Sequence, residues 1–349
     1  MFRILAAILL FCVVTLGLQP SCEAALISKN QEISMGKEVA AKLEAKYGVV
    51  QDEELQAHVN SIGQRLVAVS GRKDLEYTFK VLNHDEVNAM AVPGGFIYVF
   101  KGLLDFMPSD DELAGVLGHE VGHIVKRHSV KQVEKQLALT LLTLIITKGQ
   151  GLVLADATMQ ALMAGYSRSD EREADEQGFA LTNKAGFNPY SMLITVSKLQ
   201  DLAAAKGNPG YGLFSTHPEP EKRIERVNKS LAKMKLVPEV LVAADGAATV
   251  REGGWEFVID NTYNSDKPAY RAKLMAGALY LVKKRGAVDE TRFLTVDGSY
   301  YSDIYYEDIL ILRVYEQDAQ GYGSISGYAG AVAASLQEWA RLSRSLKAA

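Results

Sequence analysis

The run His119-Glu120-Val121-Gly122-His123 limits the folds open to this chain more than any other feature. Residues four apart on a helix lie one above the other, so both imidazoles leave one face about a turn apart, where both reach a single metal ion. Glu120 is rotated off that line and addresses a water beside the ion instead. The pattern therefore demands a helix, and the flanking sequence supplies one. Pro108 precedes Ser109 and Glu112, the two ends of a capping box that starts a helix in time to include 119–123. Gly115, Gly118 and Gly122 each cost such a helix about 1 kcal/mol relative to Ala. Gly115 and Gly122 fall beside the histidines, which reads as a face stripped so that a bulky group can approach; tight helix packing is the alternative. His128 falls about half a turn from His119 if the helix continues, and reads as a solvated or second-layer histidine.

A catalytic zinc takes three protein ligands and keeps one position open, so a further ligand must come from elsewhere. The best source is the run Ser167-Arg168-Ser169-Asp170-Glu171-Arg172-Glu173-Ala174-Asp175. Glu171 and Asp175 share a helical face and Glu173 points nearly opposite. One of the shared pair can bind metal while the other holds a ligand imidazole by its outer nitrogen. A solvated acidic face is the alternative reading of such a run. The two cysteines, Cys12 and Cys22, fall in the first two dozen residues, which argues against a closed structural zinc site.

A length of 349 residues suggests about two domains. Hydrophobic residues at 48% and charged residues at 23% fit a globular chain rather than a disordered one, and a net charge of -4 gives no basic footprint for nucleic acid. Arg3, the apolar stretch 4–18, the Gln19-Pro20 break and Cys22-Glu23-Ala24 read as a secretory signal, 1–24, cleaved after Ala24. A retained membrane anchor and lipidation of Cys22 are the alternatives, the apolar stretch being shorter than a bilayer span. Helical spacing follows over 31–47 and 52–69, then short strands over 77–82, 87–92 and 96–100, the last two joined at Pro93-Gly94-Gly95. Helical pattern runs from Ser109 to about Met234. The Ala- and Gly-rich stretch 240–254 reads as a linker between domains at 25–240 and 255–349. In the second, strands at 255–259, 293–296 and 309–315 and helices at 268–284 and 329–346 are expected, with a hairpin signal at Asp297-Gly298. Ten of the 16 Tyr lie there, marking either a binding surface or half-buried strand core. The fold class expected is α+β: a mostly helical domain with a small antiparallel sheet, then a smaller α+β C-terminal domain.

Taken together, His119-Glu120-Xaa-Xaa-His123, the pattern ending at Asp175, Asn88-Ala89-Met90-Ala91-Val92-Pro93-Gly94-Gly95, and Ser215-Thr216-His217-Pro218 with Arg223 downstream resemble the gluzincin-type metallopeptidases. That group includes the CAAX prenyl protease, HtpX and the periplasmic BepA-like enzymes. The resemblance covers about residues 30–235. It implies a zincin-type catalytic domain holding one zinc ion by His119, His123 and Glu171, with Glu120 as general base and Asp175 behind the ligands. His217 would act as an oxyanion donor or as a latch on the open zinc position. A strand at Asn88, Ala89, Met90 and Ala91 would bind an extended substrate by adding it to a sheet edge. The helical repeats of BepA-like proteins and the membrane spans of HtpX and the prenyl protease are not found here. The apolar stretch 137–146 is about half the length of a span and reads as a buried helix or lid, peripheral membrane contact being the alternative. The function expected is an exported, most naturally periplasmic, zinc endopeptidase acting on unfolded or misassembled envelope polypeptides. A chaperone-like assembly factor that binds clients with little proteolysis is the alternative.

Overall fold

The structure, a computed structural model, describes residues 27–147, 154–208, 210–217 and 219–348. The signal stretch 1–24, with Cys22, lies outside the described residues.

Two helices come first, α1 (Lys29–Tyr47) and α2 (Glu53–Ala68), each started by a side chain: Ser28 accepts the Gln31 N–H and Asp52 that of Leu55. Strands β1 (Thr78–Leu82), β2 (Ala89–Val92) and β3 (Phe96–Phe100) then form one sheet in the order β1-β3-β2. β3 runs parallel to β1 and antiparallel to β2, with Ala91 opposite Ile97. The β2–β3 reversal rests on Gly94 and Gly95, whose φ values of 83° and 100° favour glycine. β3 is therefore central and β2 lies at an edge.

Alternation along these strands sends side chains to two helical layers. Ala89, Ala91, Ile97 and Val99 join Ile62 and Leu66 of α2 and Leu117 and Val121 of α4 (Asp110–Val125), which the short α3 (Lys101–Phe106) precedes. Met90, Val92, Tyr98 and Phe100 meet Val39 and Leu43 of α1 and Leu162 of α6 (Leu154–Met163). Helices α5 (His128–Thr147), α7 (Arg168–Lys184), α8 (Ser191–Ala205) and α9 (Pro220–Met234) complete this part. The apolar stretch 137–146 falls within α5, and among the described residues no helix is long and apolar enough to cross a membrane.

The capping box expected for α4 is present, with Ser109 Oγ accepting the Glu112 N–H and the Glu112 carboxylate accepting the Ser109 N–H. The open face expected beside its glycines is not. A Cβ on Gly118 would stand 3.0 Å from Thr182 Cγ2 and one on Gly122 2.8 Å from the Ala174 carbonyl, both on α7. One on Gly115 would meet Thr195 Oγ1 of α8 at 2.4 Å, and one on Gly178 of α7 would lie 2.8 Å from His119 N. These glycines let α4 pack backbone to backbone against its neighbours, so nothing bulky enters on that side.

The stretch read as a linker is likewise corrected. It holds β4 (Glu239–Val242) and β5 (Ala248–Glu252), which with β6 (Trp255–Ile259) form an antiparallel meander. Ala248 and Val250 turn inward and are fully buried; their period of two was masked by the surrounding Ala and Gly. Then come α10 (Pro268–Arg285), a meander of β7 (Phe293–Asp297), β8 (Tyr301–Tyr306) and β9 (Ile309–Tyr315), and α11 (Ile325–Ala348). The Asp297-Gly298 hairpin closes as the Gly298 N–H donates to the Tyr301 carbonyl at 2.9 Å. β8 was not anticipated. A second hydrophobic core gathers Met275, Leu279, Ile304, Val314 and Trp339, whose indole N–H donates to Glu252 Oε2 at 2.8 Å. Tyr306 belongs to this core, as the strand-core reading expects, whereas Tyr300 is 81% exposed. The α+β class is borne out.

Gly178→Val should overpack the α4–α7 crossing and destabilise the protein by about 1–3 kcal/mol in chemical denaturation. Gly330→Ala, on an exposed face of α11 with nothing within 4 Å, should instead stabilise it slightly.

Candidate metal centre

Four elements converge at the middle of α4. His119 and His123 come from α4, Glu171 and Asp175 from α7, His217 from the turn after α8, and Arg223 from α9. The capping box of α7, Ser167 with Asp170, sets its first turn so that Glu171 points at α4. His119, Glu120, His123, Glu171 and His217 are all buried.

His119 Nε2 and His123 Nε2 lie 3.0 Å apart. Glu171 Oε2 is 3.5 Å from the first and its Oε1 3.4 Å from the second. His217 Nδ1 is 2.8 Å from Glu171 Oε1 and 3.1 Å from His119 Nε2. Donors about 2.0–2.1 Å from a tetrahedral zinc stand roughly 3.3 Å from one another, so this set fits such an ion. Two further observations agree. Among the described residues, Glu171 Oε2 and both Glu120 oxygens are buried without a hydrogen-bond partner, a costly state for carboxylates unless a cation sits among them. The buried Arg223 also spends its carboxylate hydrogen bonds on Asp175 and makes none to Glu120 or Glu171.

The surrounding polar groups fix the ligands. Asp175 Oδ1 lies 3.0 Å and Arg223 Nη2 3.1 Å from His119 Nδ1, and a proton on that nitrogen shared with Asp175 leaves Nε2 its lone pair. Arg223 donates to Asp175 through Nε at 3.1 Å and Nη2 at 2.8 Å, while Arg226 reaches Oδ2 at 3.2 Å from the partly exposed rim. Burial pushes the Asp175 carboxyl up, but Arg223 and His119 outweigh it and hold it well below the usual carboxylate range. Glu171 is depressed in the same sense, burial being outweighed by His217, His119 and Arg223. Burial keeps His123 neutral by lowering its pKa, the form a metal ligand needs.

His128 is a second-layer histidine, although not by the helical continuation assumed from sequence. α4 ends at Val125, Arg127 takes φ 58°, and α5 begins at His128, whose Nδ1 returns to within 2.9 Å of His123 Nδ1. Tyr166 was missed altogether. Its ring stacks on His123 at 3.8 Å, its hydroxyl lies 2.8 Å from Ser129 Oγ and 3.5 Å from the Ala91 carbonyl, and its N–H donates to the Thr216 carbonyl. No motif flagged it; only its adjacence to the α7 cap was visible. Of the strand residues singled out, Ala89 and Ala91 face α4 and Met90 the opposite layer. The Asn88 side chain is spent locally, its amide donating to Glu86 and its oxygen accepting the Ala89 N–H. Glu173 stays outside the cluster, near Lys126.

A helical histidine pair completed by a glutamate from a second helix is one of the ligand sets of zinc-dependent metallopeptidases. The chain belongs to peptidase family M48, whose profile matches residues 53–231 and so includes every residue of the cluster. It is 30% identical over 228 residues to the beta-barrel assembly-enhancing protease of Yersinia pestis, covering 61% of this chain and 46% of that protein. To metalloprotease YcaL of Escherichia coli it is 30% identical over 211 residues, 58% of this chain and 77% of that one. The mitochondrial metalloendopeptidase OMA1 of Schizosaccharomyces pombe is 31% identical over 185 residues, 52% and 55% of the two chains. The chain spans about half the length of the first of these relatives.

His119→Ala, His123→Ala and Glu171→Ala should each lower the zinc content of purified protein by metal analysis, and Glu173→Ala should not. Arg223→Leu leaves Asp175 buried without its main partner and should destabilise the fold by about 3–5 kcal/mol in thermal or denaturant unfolding.

Proposed function

We propose that this chain is an exported zinc endopeptidase that hydrolyses unfolded or misassembled envelope polypeptides. The observation that carries the reading is the buried, unpartnered Glu120 carboxylate beside the His119, His123 and Glu171 donors. Those three residues would hold the ion. When bound, zinc supplies a Lewis acid that polarises a carbonyl and acidifies water. Glu120 takes up the proton that the attacking water loses and delivers it to the departing amine. Asp175, itself held by Arg223, keeps His119 in the tautomer that offers Nε2 inward.

An extended substrate would add to the edge strand β2 along Ala89–Ala91. In this structure the Ala91 carbonyl lies within reach of the hydroxyls of Ser129 and Tyr166, and His217 occupies the ligand group, which supports a latched resting state. Burial lowers the His217 pKa, but Glu171 and Glu120 outweigh it and raise it overall. Envelope clients are suggested by the name of the beta-barrel assembly-enhancing relatives. Two separate hydrophobic cores support a division into a catalytic domain and a C-terminal domain that positions clients, its boundary ahead of β4 rather than after β5.

Glu120→Gln should retain zinc and lose turnover of an unstructured polypeptide by about 10²–10⁴-fold; undiminished client protection in that variant would favour the chaperone-like alternative. His217→Ala should raise basal turnover at unchanged zinc content if His217 is the latch. An oxyanion donor predicts the opposite, a fall of about a hundredfold or more.

A further inference from the structure

The first turn of α4 is tied to the C-terminal part of the chain through a buried ion triad. Lys198, on α8 and fully buried, sets its ammonium 2.6 Å from Glu112 Oε1 and 2.5 Å from Asp266 Oδ1. Glu112 is the capping-box residue of α4, its other oxygen 2.6 Å from Ser109 Oγ, and its backbone carbonyl accepts the Thr195 hydroxyl at 2.8 Å. Asp266 belongs to the loop ahead of α10 and is held there by reciprocal backbone bonds with Tyr263. A second strut runs alongside. The Asn188 N–H donates to Asp111 Oδ1 at 2.8 Å and its side-chain amide to the Leu274 carbonyl of α10 at 2.7 Å.

We propose that Asp266 is a positioning residue for the zinc-binding helix, acting through Lys198 on Glu112. The inference rests on the reading of His119 and His123 as zinc ligands. A buried ammonium must satisfy its donors, and here two carboxylates from different parts of the chain share them. Without the Asp266 charge, Lys198 shifts to recruit another partner, and the Glu112 carboxylate that it grips shifts with it. Glu112 stands seven residues, about two turns, before His119 on one continuous helix. Because α4 meets α7 at backbone contact distance, a displacement of its first turn is passed along the axis rather than absorbed by side chains. The C-terminal part thus contributes no group to the metal centre yet sets where the ligand helix lies.

The test uses the full chain with Asp266→Asn, Lys198→Met and the double variant. Asp201→Asn is the control, since Asp201 accepts from Tyr270 and pairs with Lys267 of the C-terminal part without touching α4. Asp266→Asn should speed zinc release to a chelator about tenfold and lower kcat by a similar factor with KM little changed, as loss of an outer supporting group does. In zinc-free protein it should speed hydrogen exchange at the Glu112 amide. Asp201→Asn should do neither, and Asp266→Asn should add little once Lys198 is Met. Wild-type zinc release and exchange in Asp266→Asn, or equal effects from Asp201→Asn, would overturn the proposal. A wild-type chain that holds no zinc would overturn the metal reading and this one with it, whereas the exchange at Glu112 reports the Asp266 linkage by itself.

Discussion

The metal centre depends on how closely α4 and α7 can approach. Carboxylates are short, and a pair of helices separated by ordinary side chains would leave Glu171 and Asp175 stranded beyond the imidazoles. Gly118 and Gly122 on one helix and Gly178 on the other remove that spacing, so Glu171 reaches both histidines and Asp175 reaches the back of His119. The helical cost of glycine is offset by contact that no larger residue permits. Everything else in the site is arranged around that crossing: α9 lays Arg223 on Asp175, and α8 seals Gly115.

So many charges under one roof need each to have an answer. Arg223 answers Asp175, the histidines answer Glu171 from one side, and among the described residues Glu120 has a hydrogen-bond donor on neither oxygen, His217 Nε2 standing 3.7 Å away. Elsewhere the fold satisfies buried acids: Glu32 by Arg72, Glu252 by Lys283 and Trp339, Asp318 by Arg271.

What could be read from the sequence was local. The capping box at Ser109, the shared face of His119 and His123, and that of Glu171 and Asp175 follow from helical periodicity, and the residues meet as the periodicity requires. What could not be read depended on neighbours. A helical projection says which way Gly122 faces but not that α7 lies there, so close packing was mistaken for access. Arg127 breaks the helix without a Gly or Pro to announce it, which hid the return of His128 to His123. The strands β4 and β5 were lost in linker-like composition, since β4 has no fully buried residue and β5 turns only Ala248, Val250 and Glu252 inward. Tyr166 and the Lys198 triad carry no motif at all, since each is defined by partners dozens of residues away.

The backbone bond from Tyr166 to Thr216 joins the residue that covers strand β2 to the turn that presents His217, and Gly165 presses on the same Thr216. If peptides dock at that edge and His217 is the latch, as proposed above, the two events would be coupled through this bond. Their costs would then fall together, and a peptide too short or too rigid to displace Tyr166 would gain nothing from reaching the cleft. On that reading selectivity would reside in which chains can force both events, before any side-chain preference at the scissile bond is consulted.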